Sequence, residues 1–269
     1  MRGKVTGASV ILGVRFDLID CMRAFEAVQE WRAAGERRYV TITNPHSVML
    51  CRRDREMGSA TREAGLTLPD GVGIVLAARL LGYENGGRVA GPEFMLRCCD
   101  WGQRYGLRHY FCGGAPGVPE KLIARLSAEY PGMIVAGCHS PPFRELSDEE
   151  DAAMVQQINA TKPDMVWIGL GAPKQEKWMA AHAGRIAAPA MVGVGAAFDF
   201  HAGTVKWAPA WMRRAGLEWL FRFISEPGRM WRRNLDSPVF LAGVVWQRIA
   251  RTIKRRAAPG AEVKRGGWQ

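Results

Sequence analysis

The sequence has little of what marks a secreted, disulfide-stabilised or membrane-spanning protein. The apolar run at residues 239–246 holds eight residues, whereas a membrane-spanning helix needs about 20. No N-terminal stretch combines a basic start, an apolar run and a small-residue cleavage site. The six cysteines form no Cys-x-x-Cys pair and no metal-ligand spacing with the five histidines. These absences predict a cytoplasmic protein with reduced cysteines and no bound metal.

Positive charge is concentrated at one end of the chain. Of the net charge of +11, a surplus of ten lies beyond residue 205, where fourteen Lys and Arg accompany four Asp and Glu. The same segment holds six of the ten tryptophans. A basic, aromatic segment suits a polyanion, which could be an anionic bilayer, a diphosphate or nucleic acid. Tryptophan beside arginine favours the membrane interface, where amphipathic rings settle.

Up to about residue 203, short apolar runs alternate with amphipathic helical stretches. This pattern predicts an α/β protein with a Rossmann-like, mostly parallel sheet flanked by helices. The predicted strands are residues 10–14, 39–43, 109–112, 134–137, 165–169 and 190–194. The predicted helices are residues 20–34, 46–55, 72–81, 92–105, 118–130, 148–160 and 174–183.

After residue 208 the alternation stops and the sequence becomes helical and basic. We therefore predict a Rossmann-like body over residues 1–205, a basic helical C-terminal appendage over 206–257 and a disordered tail over 258–269. The apolar run at 239–246 and the basic residues after it fit a helix lying in a membrane interface. Plain packing on the body and nucleic-acid contact are the alternatives.

A buried strand runs into a glycine turn and then a helix in the segment MVWIGLGAPKQEKW, residues 165–178. Gly169 and Gly171 let the backbone approach a ligand closely, and the free N–H groups of the following helix point towards it. Lys174 and Gln175 add a positive charge and an amide. The arrangement suits a phosphate group, although a plain tight turn between strand and helix uses glycine in the same way.

Several further motifs accompany this turn. They are GVGAAFDFHAG (193–203), AP (208–209), GLEWLFR (216–222), EPGR (226–229) and, upstream, NP (44–45) and DGVG (70–73). Together they resemble the WecG/TagA/CpsF family of bacterial glycosyltransferases over roughly residues 10–233. The resemblance implies transfer of a hexose or N-acetylhexosamine, of the N-acetylmannosamine type, from a UDP-sugar to a lipid-linked acceptor sugar. Exopolysaccharide, capsule, teichoic acid and related antigen pathways all stay open, as do the sugar and the acceptor.

Asp70 lies between an extended segment and a helical one. An aspartate before glycine is ordinarily an N-cap or turn residue. In the family, the aspartate of this Asp-Gly motif is the proposed general base that takes the proton from the acceptor hydroxyl. A carboxylate suits that task if its surroundings raise its pKa towards neutrality. The resemblance therefore implies that Asp70 is the catalytic base of an inverting transfer.

Asn44 and its neighbours follow the predicted strand 39–43. The family tends to place a threonine two residues before this asparagine, near the donor sugar, but here that position is Ile42. Thr41 and Thr43 share the other face of the strand, because side chains alternate along it. We expect Thr43 and Asn44 to bind the donor, and it stays open whether Thr41 or Thr43 takes the threonine's role.

The sequence contains three further positions that could have a functional or a structural role. Arg88 matches the Arg-Val-x-Gly element of the family before a helix, so we expect it to bind substrate, with a plain surface arginine as the alternative. The glycine turn FCGGAPG, residues 111–117, is a second candidate for contact with the nucleotide. Asp199, between two phenylalanines, is read as a cap for a neighbouring loop.

The chain contains no Asp-x-Asp, the usual carboxylate clamp for a metal on a nucleotide-sugar diphosphate. A metal-independent enzyme without a cofactor is therefore expected, in which cations and backbone N–H groups meet the charge of the leaving group. Arg222, Arg229 and Arg232 coincide with arginines of the family's appendage, and arginine forks bind phosphate bidentately. A solvated basic face is the alternative. The family often has Arg-Ala-Pro where this chain has Trp207 before its Ala-Pro.

The expected partners are a UDP-sugar, a polyprenyl-diphosphate-linked sugar and an anionic surface on the inner face of the cell membrane, and not nucleic acid. Self-association into a homo-oligomer stays open. A Rossmann-type oxidoreductase is an alternative, but the turn at 169–174 lacks the third glycine of Gly-x-Gly-x-x-Gly, and no acidic residue ends a strand about 20 residues later. A nucleic-acid-binding protein would explain the basic tail, yet it would leave Asp70 and Gln175 without a purpose.

Overall fold

The computed structural model describes residues 9–84 and 87–257, without the side chains of 229–234 and 254–257. A small antiparallel hairpin precedes a sheet of six strands, all parallel, in the order β4-β3-β8-β7-β5-β6. The strands in chain order are β1 Ser9–Ile11, β2 Val14–Phe16, β3 Arg38–Thr43, β4 Leu66–Pro69, β5 Arg108–Gly113, β6 Ile134–His139, β7 Met165–Gly169 and β8 Ala190–Gly193. This architecture confirms the predicted α/β class with a parallel sheet.

Helices connect the strands and cover both faces of the sheet, as parallel crossovers require. They are α1 Cys21–Ala34, α2 Pro45–Arg53, α3 Arg55–Glu63, α4 Val72–Leu80, α5 Gly91–Gly102, α6 Val118–Glu129, α7 Asp148–Ala160, α8 Lys174–Ala181 and α9 Ala197–Ala202. Polar side chains cap several of them at their first turn. Asp20 caps α1, Asn44 caps α2, and Ser147 forms a capping box with Glu150 at α7.

Two hydrophobic cores lie on opposite faces of the sheet. Alternation along β5 sends Phe111 into one core and Tyr110 into the other, and along β7 it separates Trp167 from Ile168 in the same way. All four side chains are fully buried. Runs of buried residues on both faces explain why these strands read as continuous apolar segments rather than alternating ones.

Three C-terminal helices follow, α10 Ala210–Arg214, α11 Glu218–Ser225 and α12 Pro227–Ala257, and a third core joins the hairpin to α12. Phe240 and Val244 on α12 pack with Ile11, Val48 and Ile74. The inner face of α12 is therefore part of the folded core beside α2 and α4. Within residues 9–84 and 87–257, no helix is apolar over a length that would cross a bilayer.

One local prediction was wrong, and two elements were not identified as such. The predicted strand 10–14 is the hairpin of β1 and β2, which turns at Leu12 and Gly13, both with positive φ. Strand β4 was read only as an extended segment, because four residues ending in proline carry too little periodicity. Helix α3 was missed because its apolar positions are few, and Asp54 begins it directly after α2. The predicted tail, 258–269, lies outside the described residues.

Candidate active site

The loops that carry the predicted site residues meet at one edge of the molecule. Because all six strands of the sheet are parallel, their carboxyl ends share that edge, which is where open α/β sheets bind ligands. Thr43 ends β3 and Asp70 follows β4, and the Asp70 amide donates to the Thr43 carbonyl oxygen at 3.0 Å. The glycine turns after β5 and β7 open onto the same edge.

Asp70 is half-buried at the start of the turn into α4. Burial raises its pKa to about 7, and the negative charge of Glu218 is the next largest cause of that rise. Arg88 and a hydrogen bond from the Gly71 amide act in the opposite direction, while Glu93 adds to the rise. A carboxyl group with a pKa near 7 can both accept and release a proton at physiological pH.

The end of β3 places two threonines differently. The Thr41 hydroxyl lies inside the sheet, 3.3 Å from the Thr67 hydroxyl and fully buried. Thr43 is equally buried, but it occupies the last position of the strand, at the carboxyl edge of the sheet and one residue before Asn44. The side-chain oxygen Oδ1 of Asn44 caps α2 by accepting from the Ser47 amide at 3.0 Å, so the side-chain NH₂ group takes no part in the cap and can act as a donor. Of the two threonines, Thr43 is therefore better placed for a ligand.

Arg88 lies in the loop before α5, beside β4. The neighbouring Val89 amide donates to the Pro69 carbonyl oxygen at 2.9 Å, which holds this loop against the end of the strand. The Arg88 side chain is mostly buried, and its guanidinium lies 3.6 Å from the Glu93 carboxylate. This position explains why its charge acts on Asp70 and supports the predicted role better than a surface position would.

The C-terminal helices cover this edge of the sheet. A methyl group at Gly216 would collide with Val72 at the first turn of α4, so the turn between α10 and α11 lies directly on the Asp70 loop. Glu218 begins α11 and is half-buried. Burial raises its pKa, and the positive charges of Arg88 and Arg222 offset part of that rise. Charges from the body and from the C-terminal helices are thus gathered around Asp70.

Arg222 belongs to the same cluster of charges. Its guanidinium carbon lies 5.4 Å from the centre of the Phe200 ring, and its Nε is buried with no hydrogen-bond partner among the described residues. A partly buried guanidinium with an unused donor is suited to an anionic ligand. The side chains of Arg229 and Arg232, which the sequence analysis groups with Arg222, lie outside the described residues.

The glycine turn after β7 has the backbone that the sequence predicts. Gly171 has a φ of 76°, a region that favours glycine. The turn after β5 lies close beside it, since a side chain at Gly113 would collide with the backbone of Gly169. Lys174 opens α8 and is exposed, so its ammonium group is accessible at the N-terminus of that helix.

Gln175 is more deeply placed than a typical ligand-binding side chain. It is buried; its carbonyl oxygen accepts from the Gly195 amide at 3.0 Å, and its Nε2 donates to Glu176 at 2.9 Å. The amide therefore joins the loop after β7 to the loop after β8. One N–H of its NH₂ group remains for a ligand. Burial also raises the pKa of Glu176, whose Oε2 has no hydrogen-bond partner in the described part of the chain.

Sequence reasoning missed three charged residues of the cluster, namely Glu93, Arg213 and Glu218. Arg213 and Glu218 lie more than 140 residues from Asp70 along the chain, so no local spacing could connect them with it. The available signals were weak: Glu218 stands inside the GLEWLFR motif, and Arg213 inside the basic segment before it. Asp199 is a loop cap as expected, because its carbonyl and carboxylate oxygens both accept from Thr204.

The described residues contain no group of three or more His, Cys, Asp and Glu side chains placed to hold a metal ion. What they do bring together is a carboxyl group with a pKa of about 7, the partly buried guanidiniums of Arg88, Arg213 and Arg222, and glycine turns with accessible backbone. Such a site can remove a proton from a hydroxyl group while cations bind an anionic leaving group.

Comparison with known proteins agrees with this chemistry. The profile of the glycosyl transferase WecG/TagA/CpsF family matches residues 9–254. Three similar proteins bear the name N-acetylglucosaminyldiphosphoundecaprenol N-acetyl-beta-D-mannosaminyltransferase. The protein of Bacillus spizizenii is 30% identical over 207 residues, and that of Bacillus subtilis 29% over 206, each covering 77% of this chain and 78% of the relative. The protein of Staphylococcus aureus (strain MW2) is 27% identical over 247 residues, or 91% of this chain and 94% of the relative.

Proposed function

Because the chain belongs to the WecG/TagA/CpsF family of glycosyl transferases, we propose that it transfers a hexose or N-acetylhexosamine, of the N-acetylmannosamine type, from a UDP-sugar to a polyprenyl-diphosphate-linked sugar. The names of its relatives specify an N-acetylmannosaminyl donor group and an N-acetylglucosaminyl-diphosphate lipid acceptor. One observation in particular supports catalysis at the proposed site, which is the half-buried Asp70 with a pKa of about 7 beside partly buried arginines.

In the proposed reaction Asp70 acts as the general base. Its carboxylate accepts the proton of the acceptor hydroxyl while that oxygen attacks the anomeric carbon of the donor. The bond from the anomeric carbon to the diphosphate oxygen breaks on the opposite face, so the configuration inverts and UDP leaves with the electron pair. A pKa near 7 balances the fraction of ionised base against its proton affinity.

The leaving diphosphate gains negative charge in this step. We propose that Arg222 and Arg88 bind it, supported by the buried, unpartnered Nε of Arg222 and by the position of Arg88 next to Asp70, and we assign the same role to Arg229 and Arg232. Guanidinium groups bind phosphate oxygens through paired N–H donors. Preorganised cations in a partly buried site stabilise charge that develops in the transition state. This chemistry needs no metal ion.

The donor is proposed to lie across the carboxyl ends of β3, β7 and β8. Thr43 and the Asn44 amide face its sugar, while the backbone at Gly171 and the ammonium group of Lys174 face its phosphates. Gln175 contributes mainly by joining the loops after β7 and β8, with one N–H directed to the donor. The turn at 111–117 lies beside this path and is assigned to the nucleotide.

The C-terminal appendage, residues 206–257, is proposed to hold the enzyme on the anionic inner face of the cell membrane, where its acceptor is embedded. Its helix α12 has an outward stripe opposite the face that packs in the core. The outward apolar stripe consists of Leu235, Val239, Trp246, Ile249 and Ile253, which are all exposed. Exposed apolar side chains on a basic helix are typical of helices that lie in the bilayer interface.

A transfer assay tests the proposed activity. Purified protein is incubated with a short-chain lipid-diphosphate N-acetylglucosamine as the acceptor. Each reaction also contains one donor, which is UDP-N-acetylmannosamine, UDP-N-acetylglucosamine or UDP-glucose, and the products are identified by mass. We expect an acceptor enlarged by one sugar with a single preferred donor. Two outcomes would contradict the proposed substrates. One is equal transfer to an acceptor that lacks the diphosphate lipid, and the other is no transfer from any UDP-sugar of a wider panel.

A further inference from the structure

Arg213 in α10 is a partly buried cation to which neither the motifs nor the mechanism above assigns a task. Its guanidinium carbon lies 3.5 Å from the centre of the Trp207 ring, close enough for direct cation–π stacking. The Trp207 ring is itself stacked with Phe200, at 6.1 Å between centroids and 10° between planes. Arg222 lies over the Phe200 ring. Two neighbouring aromatic rings thus each carry a guanidinium group.

Both guanidiniums keep unused hydrogen-bond donors. The Nε atoms of Arg213 and Arg222, together with Trp207 Nε1, are buried without a hydrogen-bond partner among residues 9–84 and 87–257. Buried donors are nearly always satisfied in folded proteins, because an unpaired donor loses its hydrogen bonds to water and gains none in return. Three such donors around one aromatic pair indicate a place where an acceptor is expected.

The only carboxylate that the structure pairs with Arg213 among the described residues is Glu93, and this pairing is loose. Glu93 lies 3.5 Å from Arg213 and 3.6 Å from Arg88, so one carboxylate is shared by two guanidiniums. A saturated pair looks different, since Arg144 holds Glu150 through two contacts of 2.6 Å. Arg213 therefore keeps most of its N–H donors for another anion.

Arg213 also lies within the cluster that surrounds Asp70. Its charge acts on Glu218 together with those of Arg88 and Arg222. Stacking on a ring fixes the plane of a guanidinium and directs its N–H edge, which is the arrangement that recognises phosphate oxygens. A purely structural arginine that fastened α10 to the body would instead be expected to have a close carboxylate or carbonyl partner.

We propose that Arg213, held on the face of Trp207, binds the diphosphate group of a substrate as an additional arginine of the active site. The assignment rests on the proposed function, because it takes its ligand from the diphosphates of that reaction. Both substrates contain one, in the nucleotide of the donor and in the lipid link of the acceptor. The chemistry of recognition is the same for both, so the experiment must separate them.

The test compares Arg213→Ala with Arg214→Ala, an exposed arginine that follows it in the same helix. Calorimetry measures the binding of UDP and of uridine, which lacks the phosphates, and kinetics measure the KM of the lipid-diphosphate acceptor. If Arg213 binds the donor diphosphate, Arg213→Ala weakens UDP binding by roughly 10- to 100-fold and leaves uridine binding unchanged. If it binds the acceptor diphosphate, the acceptor KM rises by a similar factor and UDP binding is unchanged.

Arg213→Lys separates recognition from charge alone. Lysine keeps the positive charge without the planar fork, so it is expected to restore only part of the lost affinity. Melting temperatures of all variants show whether α10 remains folded, and a lower melting temperature with unchanged UDP affinity and acceptor KM would assign Arg213 a structural role and overturn the inference. A wild-type protein that binds neither UDP nor the acceptor would instead overturn the proposed function.

Discussion

Burial and the negative charge of Glu218 both raise the pKa of Asp70 to about 7. An aspartate in water has a pKa well below neutrality. Sequence reasoning could select Asp70 only because the Asp-Gly motif resembled that of a family, since an aspartate before glycine is usually a turn residue. It could not select Glu218 or Arg213, because their relation to Asp70 arises from folding of distant segments, and no motif singled out Glu93.

The charge of Glu218 gives a prediction for the pH dependence of turnover. Asp70 must be ionised to accept a proton, so the rate should rise with pH through a midpoint near 7. Glu218→Gln removes a charge that raises the pKa of Asp70, whereas Arg88, Glu93 and the Gly71 amide stay in place. The acidic limb of the kcat/KM profile should therefore move to lower pH. Its midpoint should stay above the pKa of an aspartate in a model peptide, because Asp70 is still buried.

Glu145→Gln is the matched control for this profile. Glu145 is an exposed carboxylate in the loop after β6, and β6 is the strand farthest from β4 in the sheet. Its removal should leave the midpoint unchanged. A profile of Glu218→Gln that overlays the wild-type profile would show that the charge of Glu218 does not act on the catalytic base.

At the level of elements, the sequence predicted best those segments that have a long hydrophobic periodicity and clear breaking or capping residues at their ends. The helices from α4 to α8 and strands β3, β5, β6, β7 and β8 were placed within a few residues. It failed where elements were short, as for β4 and the β1–β2 hairpin, because three or four residues carry too little pattern. Packing of the last helix on the body was only an alternative in the sequence analysis, since an amphipathic basic helix gives no sign of which core receives it.

The outward stripe of α12 gives the second prediction. Trp246→Glu with Ile249→Glu should weaken binding to vesicles of phosphatidylglycerol and phosphatidylcholine at least tenfold, because each apolar side chain withdrawn from water contributes about 1.5–3 kcal/mol. Cosedimentation measures the bound fraction. Both residues are exposed and lie away from the buried Phe240 and Val244, so the fold should survive.

Phe143→Glu is the control for the vesicle experiment. Phe143 is an exposed aromatic residue, 86% accessible, on a loop of the α/β body rather than on α12. Its replacement should not change vesicle binding. If the double variant of α12 cosedimented as well as the wild-type protein, the stripe would not be the membrane-binding surface.

Considered as a whole, the molecule gathers its charges from both ends of the chain. The body contributes Asp70, Arg88 and Glu93, while the C-terminal helices contribute Arg213, Glu218 and Arg222. Composition alone showed that the basic residues were concentrated beyond residue 205. It could not show that part of this charge turns inward to the active site while an apolar stripe on α12 faces out, because that division depends on how α10, α11 and α12 pack.

The inward arginines predict how the enzyme responds to removal of metal ions. If guanidinium groups neutralise the leaving diphosphate, EDTA should leave the initial rate of sugar transfer unchanged, within error, over a range that removes Mg²⁺ and Mn²⁺. An otherwise identical assay of a metal-dependent glycosyltransferase serves as the positive control. Activity lost with EDTA and restored by either metal would require a metal site in the mechanism.

The most direct test of the account is the turnover of Asp70→Asn, measured beside the affinity of the same variant for UDP. Asparagine preserves the size of the side chain and removes its basicity. We expect kcat to fall by roughly 10²–10⁴, as is typical when a positioned general base is lost, while the Kd for UDP and the melting temperature at pH 6 change little. A variant that retains more than about half of the wild-type turnover would exclude Asp70 as the catalytic base and contradict the account.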